Sequence, residues 1–179
     1  MAASKVIING TTYDLSHLDP FTFDFVVPER GGRPLRTYEI DVQFSWHCFT
    51  RGIVAGENFP RAMACARGRE TRLFDERRYR LSKRLPAIIR DIGSRKCFHT
   101  GKGNFFTVEF IDQDGNRVEY DIFFKVSRRG KAGKLTLVVE SAYARDNRIP
   151  LGRPRPPRPI RFSVIVYNTA TGKPIKQPK

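Results

Sequence analysis

The segment YEIDVQFSWHCF, residues 38–49, decides the fold class because apolar and polar residues alternate along its length. Successive side chains of an extended strand point to opposite faces of a sheet. One face would carry Tyr38, Ile40, Val42, Phe44, Trp46 and Cys48. The other face would carry Glu39, Asp41, Gln43, Ser45 and His47. We therefore predict a half-buried antiparallel strand across the whole segment.

Similar alternation on both sides of this segment predicts a sheet. Residues 21–27 are typical of a preceding strand, and the Pro- and Gly-containing residues 28–34 would join the two strands in a hairpin. Further strands are predicted at residues 97–100, 105–111, 118–126, 135–143 and 160–167. Asp114 and Gly115 favour a tight turn, so the strands between residues 105 and 143 should form a meander.

Two stretches of the chain predict helices. Residues 81–92 place leucine and isoleucine at helical spacing. Pro86 lies inside this pattern, and because an interior proline costs about 3 kcal/mol, the helix should begin near Leu85. Residues 58–65 would form a second, short helix that is capped by Asn58.

The predicted architecture is α+β: a twisted, mainly antiparallel sheet of about five to seven strands with one or two helices packed on a face or edge. A chain of this length is expected to form a single domain, residues 1–179. The Pro- and Arg-rich residues 148–161 should form an extended bridge, and a mobile tail should begin at about residue 169. The bridge would serve as a binding arm, as a ligand for another protein's aromatic groove, or only as a charged connection.

Positive charge is concentrated in two blocks of the sequence. Residues 61–102 hold thirteen Lys and Arg against four Asp and Glu, and residues 145–179 hold nine against one. If folding presents these blocks on one face, that face has the electrostatic footprint of a nucleic-acid binder. The candidate phosphate-binding residues are Arg77, Arg78, Arg80, Lys83, Arg84, Arg90, Arg95, Lys96, Lys102, Arg153, Arg155 and Arg158. A solvated helix face and salt bridges in an oligomer are the alternatives.

Four residues are candidates for metal-independent RNA cleavage: His47, His99, Glu140 and Arg145. One histidine would take the ribose 2′-hydroxyl proton and the other would protonate the leaving oxygen, while Arg or Lys stabilises the phosphorane. Glu140 near Arg145 offers a carboxylate base for the same transfer. The structural alternatives are two unrelated histidines and an edge-strand ion pair.

The sequence predicts neither a metal nor a cofactor. His47 precedes Cys48, and Cys97 lies two residues before His99, but this spacing matches no standard zinc site. The odd number and wide separation of the three cysteines predict reduced thiols. Because the apolar runs are too short to span a membrane and the N-terminus has no secretory pattern, we predict a cytoplasmic protein without a membrane partner.

These features predict a nucleic-acid-binding protein that prefers RNA to DNA. In compact size, Arg-rich charge and scarcity of metal ligands, the chain resembles in general character the small basic ribonuclease toxins of bacteria. For an enzyme, that resemblance implies a metal-independent endoribonuclease. The alternative function is an interaction or inhibitory module that docks a cationic face on an acidic protein partner.

Overall fold

The computed structural model of the protein describes residues 4–32, 34–101, 103–113, 116–130, 134–145 and 158–176. The first strands are β1 (Lys5–Ile8), β2 (Thr11–Asp14), β3 (Phe21–Val27), β4 (Arg36–Phe44), β5 (Thr50–Arg51), β6 (Ala64–Arg67) and β7 (Glu70–Phe74). Two short helices follow, α1 (Glu76–Ser82) and α2 (Leu85–Arg90). The chain then forms β8 (Lys96–His99), β9 (Phe105–Gln113), β10 (Asn116–Arg129), β11 (Lys134–Ala144), β12 (Ile160–Arg161) and α3 (Phe162–Thr171).

Seven of the described strands form one mixed sheet in the order β12-β8-β9-β10-β11-β4-β3. The hairpin of β3 with β4 and the meander of β9, β10 and β11 are antiparallel, as predicted. The hairpin joins the meander through a parallel pairing of β4 with β11, in which Ile40 lies opposite Leu135. The predicted α+β class is confirmed. The antiparallel pairing predicted for residues 38–49 is confirmed with β3 and is wrong with β11, because the long intervening crossover returns the chain in the same direction.

One face of the large sheet packs against helices. The Phe162 ring at the start of α3 lies 4.9 Å from the Phe25 ring centroid and 6.2 Å from that of Phe124. Ile88 and Ile89 of α2 are also buried in this core. Full burial of such apolar side chains stabilises the fold by roughly 1.5–3 kcal/mol each, so packing on this face contributes much of the stability of the described fold.

The opposite face carries a row of four aromatic rings that crosses β8, β9, β10 and β11. The rings of Phe98, Phe106, Phe123 and Tyr143 stack in sequence, with centroids 5.1, 5.6 and 5.6 Å apart and interplanar angles of 28°, 30° and 18°. Cross-strand aromatic pairs of this kind stabilise a sheet. The row therefore ties β8, β9, β10 and β11 together on this face of the sheet.

The strand predicted at residues 160–167 is wrong beyond Arg161, because α3 begins at Phe162. Apolar residues occur there at both strand and helix spacing. The structure buries Phe162, Ile165 and Val166, which share one side of a helix, and leaves Val164 41% exposed. Docking of Phe162 against the sheet therefore selects the helical alternative.

The strand predicted at residues 38–49 ends at Phe44. The Ser45 side chain accepts a hydrogen bond from the backbone N–H of His47, and a 3-10 turn follows at Trp46–Cys48. Trp46 and Cys48 are buried, as the alternation required, but a turn rather than a strand buries them. Short polar side chains that bond to nearby backbone commonly end a regular element in this way.

The helix prediction at residues 58–65 is also wrong, since a 3-10 turn at Arg61–Met63 leads into β6. Strand β6 pairs with β7 in a small three-stranded sheet, order β5-β7-β6. The helix predicted near Leu85 is confirmed as α2, with Pro86 in its first turn. An additional helix, α1, begins after Asp75, whose carboxylate accepts a hydrogen bond from the Arg78 N–H at 2.9 Å.

Candidate functional site

The outer side of α1 and α2 carries a line of exposed cations. The backbone N–H of Arg84 donates to the carbonyl of Leu81, and the N–H of Ile88 donates to the carbonyl of Arg84. A nearly continuous helical path therefore crosses the junction between the two helices. The exposed basic side chains along this path are Arg77, Arg80, Lys83, Arg84 and Arg90, which we call the helical stripe. At about 1.5 Å per residue, the stripe is about 20 Å long.

The sequence of these helices explains why the cations face outward. Tyr79, Leu81, Leu85, Ile88 and Ile89 are buried, so the apolar side of the helical path faces the core. Arg77, Arg80 and Arg84 recur at the spacing of one helix side. Burial of the apolar side therefore directs these charges outward.

Most of the helical stripe is not neutralised within the described part of the chain. Arg80, Lys83, Arg84 and Arg90 form no ion pair with a described carboxylate. The Lys83 ammonium lies 4.8 Å from the ring centroid of Tyr79, and the Arg90 guanidinium lies 3.8 Å from that of Phe21. Such ring contacts support the side chain while its charge stays at the surface.

Arg78, another predicted phosphate-binding residue, is directed into the fold. Its Nη1 donates to the carbonyls of His47 at 3.2 Å and Thr50 at 2.9 Å. Its guanidinium lies 5.0 Å from the Tyr143 ring centroid, and burial lowers its pKa. These contacts tie α1 to the turn after β4, so Arg78 stabilises the structure rather than presenting its charge to a ligand.

The other predicted phosphate-binding residues lie in varied surroundings. Arg95 pairs with Asp91 at 3.4 Å and with Glu109, so its charge is compensated. Lys96 and Arg158 are exposed, Lys96 on the short pairing of β8 with β12. Lys102, Arg153 and Arg155, together with most of the predicted bridge at 148–161, lie outside the described residues.

The predicted histidines make different local contacts. The Nε2 atom of His47 lies 3.3 Å from Oε1 of Glu70, beside β7. Nδ1 of His99 accepts a hydrogen bond of 2.8 Å from the backbone N–H of Gly101, and its ring packs edge-on against Phe105. Because Nδ1 is an acceptor, neutral His99 carries its proton on Nε2.

Glu140 and Arg145 do not form the ion pair that their proximity in the sequence suggested. A carboxylate oxygen of Glu140 accepts a 2.7 Å hydrogen bond from the side-chain amide of Asn104. Arg145 pairs with Asp121 at 2.6 Å and with Glu119 at 3.0 Å. Asp121 is only 1% exposed, so the Arg145 charge balances a buried carboxylate.

The sheet order separates the two histidines. His99, Phe105, Phe124, Val139 and Phe44 are successive neighbours across five strands. Four strand spacings therefore separate His99 from Phe44, about 19 Å along the sheet, and His47 follows Phe44 by three residues. The closest link among the candidates runs through Asn104, which bonds Glu140 and accepts from Thr100, the residue after His99. Contacts in the described ranges do not assemble the four into one catalytic group.

The third histidine, His17, makes a contact that the sequence did not suggest. Its Nε2 lies 2.8 Å from Oγ of Ser82, 65 residues away. The Ser82 hydroxyl donates to the carbonyl of Tyr79, so the imidazole is the donor to Ser82. Burial lowers the pKa of His17. The pair links the segment after β2 to α1. Because Ser82 is fully buried, its hydroxyl is not accessible as a nucleophile.

The cysteines are free, and two of them are strongly shielded. Burial raises the pKa of both Cys48 and Cys97 to about 12, which leaves them as protonated thiols at neutral pH. Within the described ranges, no group of three or more His, Cys, Asp or Glu side chains is placed to hold a metal ion. Of the helices described, none has the length and apolar character needed to cross a membrane.

Comparison with known proteins identifies the family. The chain belongs to the YjaZ family, whose model matches residues 5–170. This match covers the three sheets of the described residues, α1, α2, all but the last residue of α3, and the helical stripe. No curated protein and no solved structure matches the chain.

Proposed function

We propose that the protein binds nucleic acid, with RNA preferred to DNA, through the helical stripe. The observation that supports this function is the set of Arg80, Lys83, Arg84 and Arg90, which are exposed along one helical path and unpaired with any described carboxylate. A line of fixed positive charges about 20 Å long suits a ligand with regularly repeated phosphates. Three of the four are arginines, whose planar guanidinium groups bind phosphate oxygens bidentately.

The composition of the helical stripe favours nucleic acid over an acidic protein partner. Protein interfaces are usually anchored by large apolar or aromatic side chains at their centre. The exposed large hydrophobic residues of the described chain are Ile7, Val26, Leu35, Ile53, Val54 and Val164, and none lies on α1 or α2. A surface with cations but without such anchors gains its affinity from charge, as phosphate-backbone binding does.

The proposed function is binding rather than cleavage. General acid–base cleavage of RNA needs one group within hydrogen-bond reach of the ribose 2′-hydroxyl and a second within reach of the leaving oxygen at the same phosphate. His47 contacts Glu70 and His99 contacts Gly101. Four strand spacings separate His99 from Phe44, and His47 follows Phe44 by three residues. RNA cleavage in the presence of EDTA that is lost in His99→Ala would restore the enzymatic alternative.

Fluorescence anisotropy with labelled nucleic acids tests the proposal. Single-stranded RNA and DNA of matched sequence, about 20 nucleotides long, and an acidic protein would be compared as ligands. The double variant Arg80→Glu/Arg84→Glu removes the centre of the helical stripe. Lys125→Glu/Arg129→Glu is the matched control, since both residues are exposed on β10 and the change in net charge is the same.

The expected result is RNA binding that weakens more than about tenfold in the stripe variant and far less in the control. Tighter binding of RNA than of DNA would support the stated preference. Equal loss in both variants would show that only net charge matters and would contradict the assignment to the helical stripe. Tighter binding of the acidic protein, without competition from RNA, would favour the alternative function.

A further inference from the structure

A second cationic region lies far from the helical stripe in sequence, between the β3–β4 connection and α3. It is a groove of about 860 Å³, which we call the tyrosine groove. Its cationic lining residues are Arg30, Arg36, Arg161 and Lys173. Tyr38 and Tyr167 also line it. Arg161 and Lys173 belong to the basic block at residues 145–179, but Arg30 and Arg36 lie outside both basic blocks, so the sequence does not show that the four share one groove.

The charge in the tyrosine groove is of one sign. The described residues that line it include no Asp or Glu, and none of its four cations is in an ion pair with a described carboxylate. Like charges that share one concave space repel, and the low-dielectric walls of a cleft concentrate their field. A bound anion would relieve this repulsion, so the groove favours a ligand with several negative charges.

Tyr167 orders part of this cationic lining. The Arg36 guanidinium lies 4.9 Å from the Tyr167 ring centroid and the Lys173 ammonium lies 5.2 Å from it. The Lys173 ammonium is also 3.5 Å from the Tyr167 hydroxyl. A hydrogen bond from Lys173 and a weaker one from Arg36 lower the pKa of Tyr167. The groove therefore stabilises negative charge at the Tyr167 hydroxyl oxygen. The two cations are therefore positioned before any ligand arrives.

From this geometry we infer that the tyrosine groove is a binding site for a small phosphate-bearing molecule, a phosphomonoester or a diphosphate. Its volume is within the range of about 300–1,000 Å³ that is typical of small-molecule sites. Arg36 and Arg161 supply guanidinium groups, which match phosphate oxygens bidentately, and Lys173 supplies a compact charge. Tyr38, which also lines the groove, offers ring surface for the rest of the ligand.

This site is separate from the helical stripe, because it is built from the β3–β4 connection and α3 rather than from α1 and α2. A polymer follows an extended line of charges, whereas the tyrosine groove gathers its charges around one cavity. The inference therefore does not depend on RNA binding by the helical stripe.

Isothermal titration calorimetry on the full-length protein tests the inference with three probes. Pyrophosphate and adenosine monophosphate carry the proposed chemistry, and adenosine is the uncharged control. The groove variant Arg36→Gln/Lys173→Gln removes two exposed charges. Lys125→Gln/Arg129→Gln is the matched control, because it removes the same charge from exposed positions on β10 that belong to neither binding surface.

The expected result is that pyrophosphate and adenosine monophosphate bind the wild-type protein and that adenosine does not. Affinity should fall at least about tenfold in the groove variant and stay within about twofold in the control variant. If circular dichroism shows that the groove variant is misfolded, Arg161→Gln takes its place. Absence of phosphate binding to the wild type, or equal binding by both variants, would overturn the inference. If the wild-type protein bound pyrophosphate but not RNA, the proposed function would be wrong and the inference about the tyrosine groove would stand.

Discussion

Arg78 and Arg80 belong to the same helix and meet opposite surroundings. On the inner side of α1, Arg78 donates to two backbone carbonyls and lies over the Tyr143 ring. On the outer side, Arg80 is exposed and has no described carboxylate partner. The arginines of a basic block therefore have two different roles. Those directed inward stabilise the fold, and those directed outward are available to a ligand.

The strongest test of the inward role is Arg145, which balances the buried carboxylate of Asp121. We expect Arg145→Ala to lower the free energy of unfolding by about 3–5 kcal/mol, because it removes the guanidinium that pairs with the buried Asp121 carboxylate at 2.6 Å. Urea denaturation followed by circular dichroism measures the change. A loss below about 1 kcal/mol would show that this ion pair behaves like an exposed one and would contradict the inward role.

Arg78→Ala should have the next largest effect on stability. The charged guanidinium donates to the carbonyls of His47 and Thr50, and we expect a loss of about 2–3 kcal/mol when both hydrogen bonds are removed. RNA affinity measured under conditions where the variant is folded should stay close to that of the wild type. Strong loss of RNA affinity by the folded variant would instead place Arg78 in the binding surface.

Arg80→Ala should show the reverse pattern, which makes it the matched partner of Arg78→Ala. We expect the free energy of unfolding to change by no more than about 0.5 kcal/mol, as at other exposed positions. Loss of one phosphate contact should weaken RNA binding by about 1 kcal/mol, or about fivefold. Both variants would be measured by urea denaturation and by fluorescence anisotropy. Similar changes of stability and RNA affinity in the two variants would contradict the distinction between the two sides of α1.

The sequence predicted the parts of the fold that depend on local pattern. The β3–β4 hairpin follows from alternation on both sides of a turn, and the start of α2 follows from Pro86. The parallel pairing of β4 with β11 was not predictable, because it joins residues about a hundred positions apart. At residues 162–166 the apolar residues fitted a strand and a helix equally well, and only docking against Phe25 and Phe124 distinguishes them.

The candidate site was predictable only as a count of charges. Residues 77–90 were correctly identified as basic, but the partners that separate Arg78 from Arg80 are carbonyls 28 and 31 residues away. The tyrosine groove could not be predicted, since Arg36 and Lys173 are brought together only when α3 packs beside the hairpin. Local periodicity does not show which distant residues a side chain will contact.

A smaller effect is expected from His17, which links the N-terminal strands to the inner side of α1. Burial lowers its pKa below 6.5, so below that pH the unfolded state binds more protons than the folded state. The contribution of neutral His17 to stability is therefore fully present above the pKa that His17 has in the unfolded state, and it is lost as the pH falls toward the lower pKa of the folded state. The decrease in stability between about pH 7.5 and pH 5 should therefore be smaller in His17→Gln than in the wild type. Urea midpoints at the two pH values measure it, and an unchanged decrease would contradict the prediction.

The salt dependence of RNA binding tests the central claim, that the outer side of α1 and α2 contacts phosphates, most directly. Each phosphate contact to single-stranded nucleic acid contributes about −0.7 to the slope of log affinity against log salt concentration, so four contacts give about −3. We predict a slope near this value for the wild type and one about 1.4 units shallower for Arg80→Glu/Arg84→Glu. The same slope in both proteins, or a slope near zero in the wild type, would contradict the account.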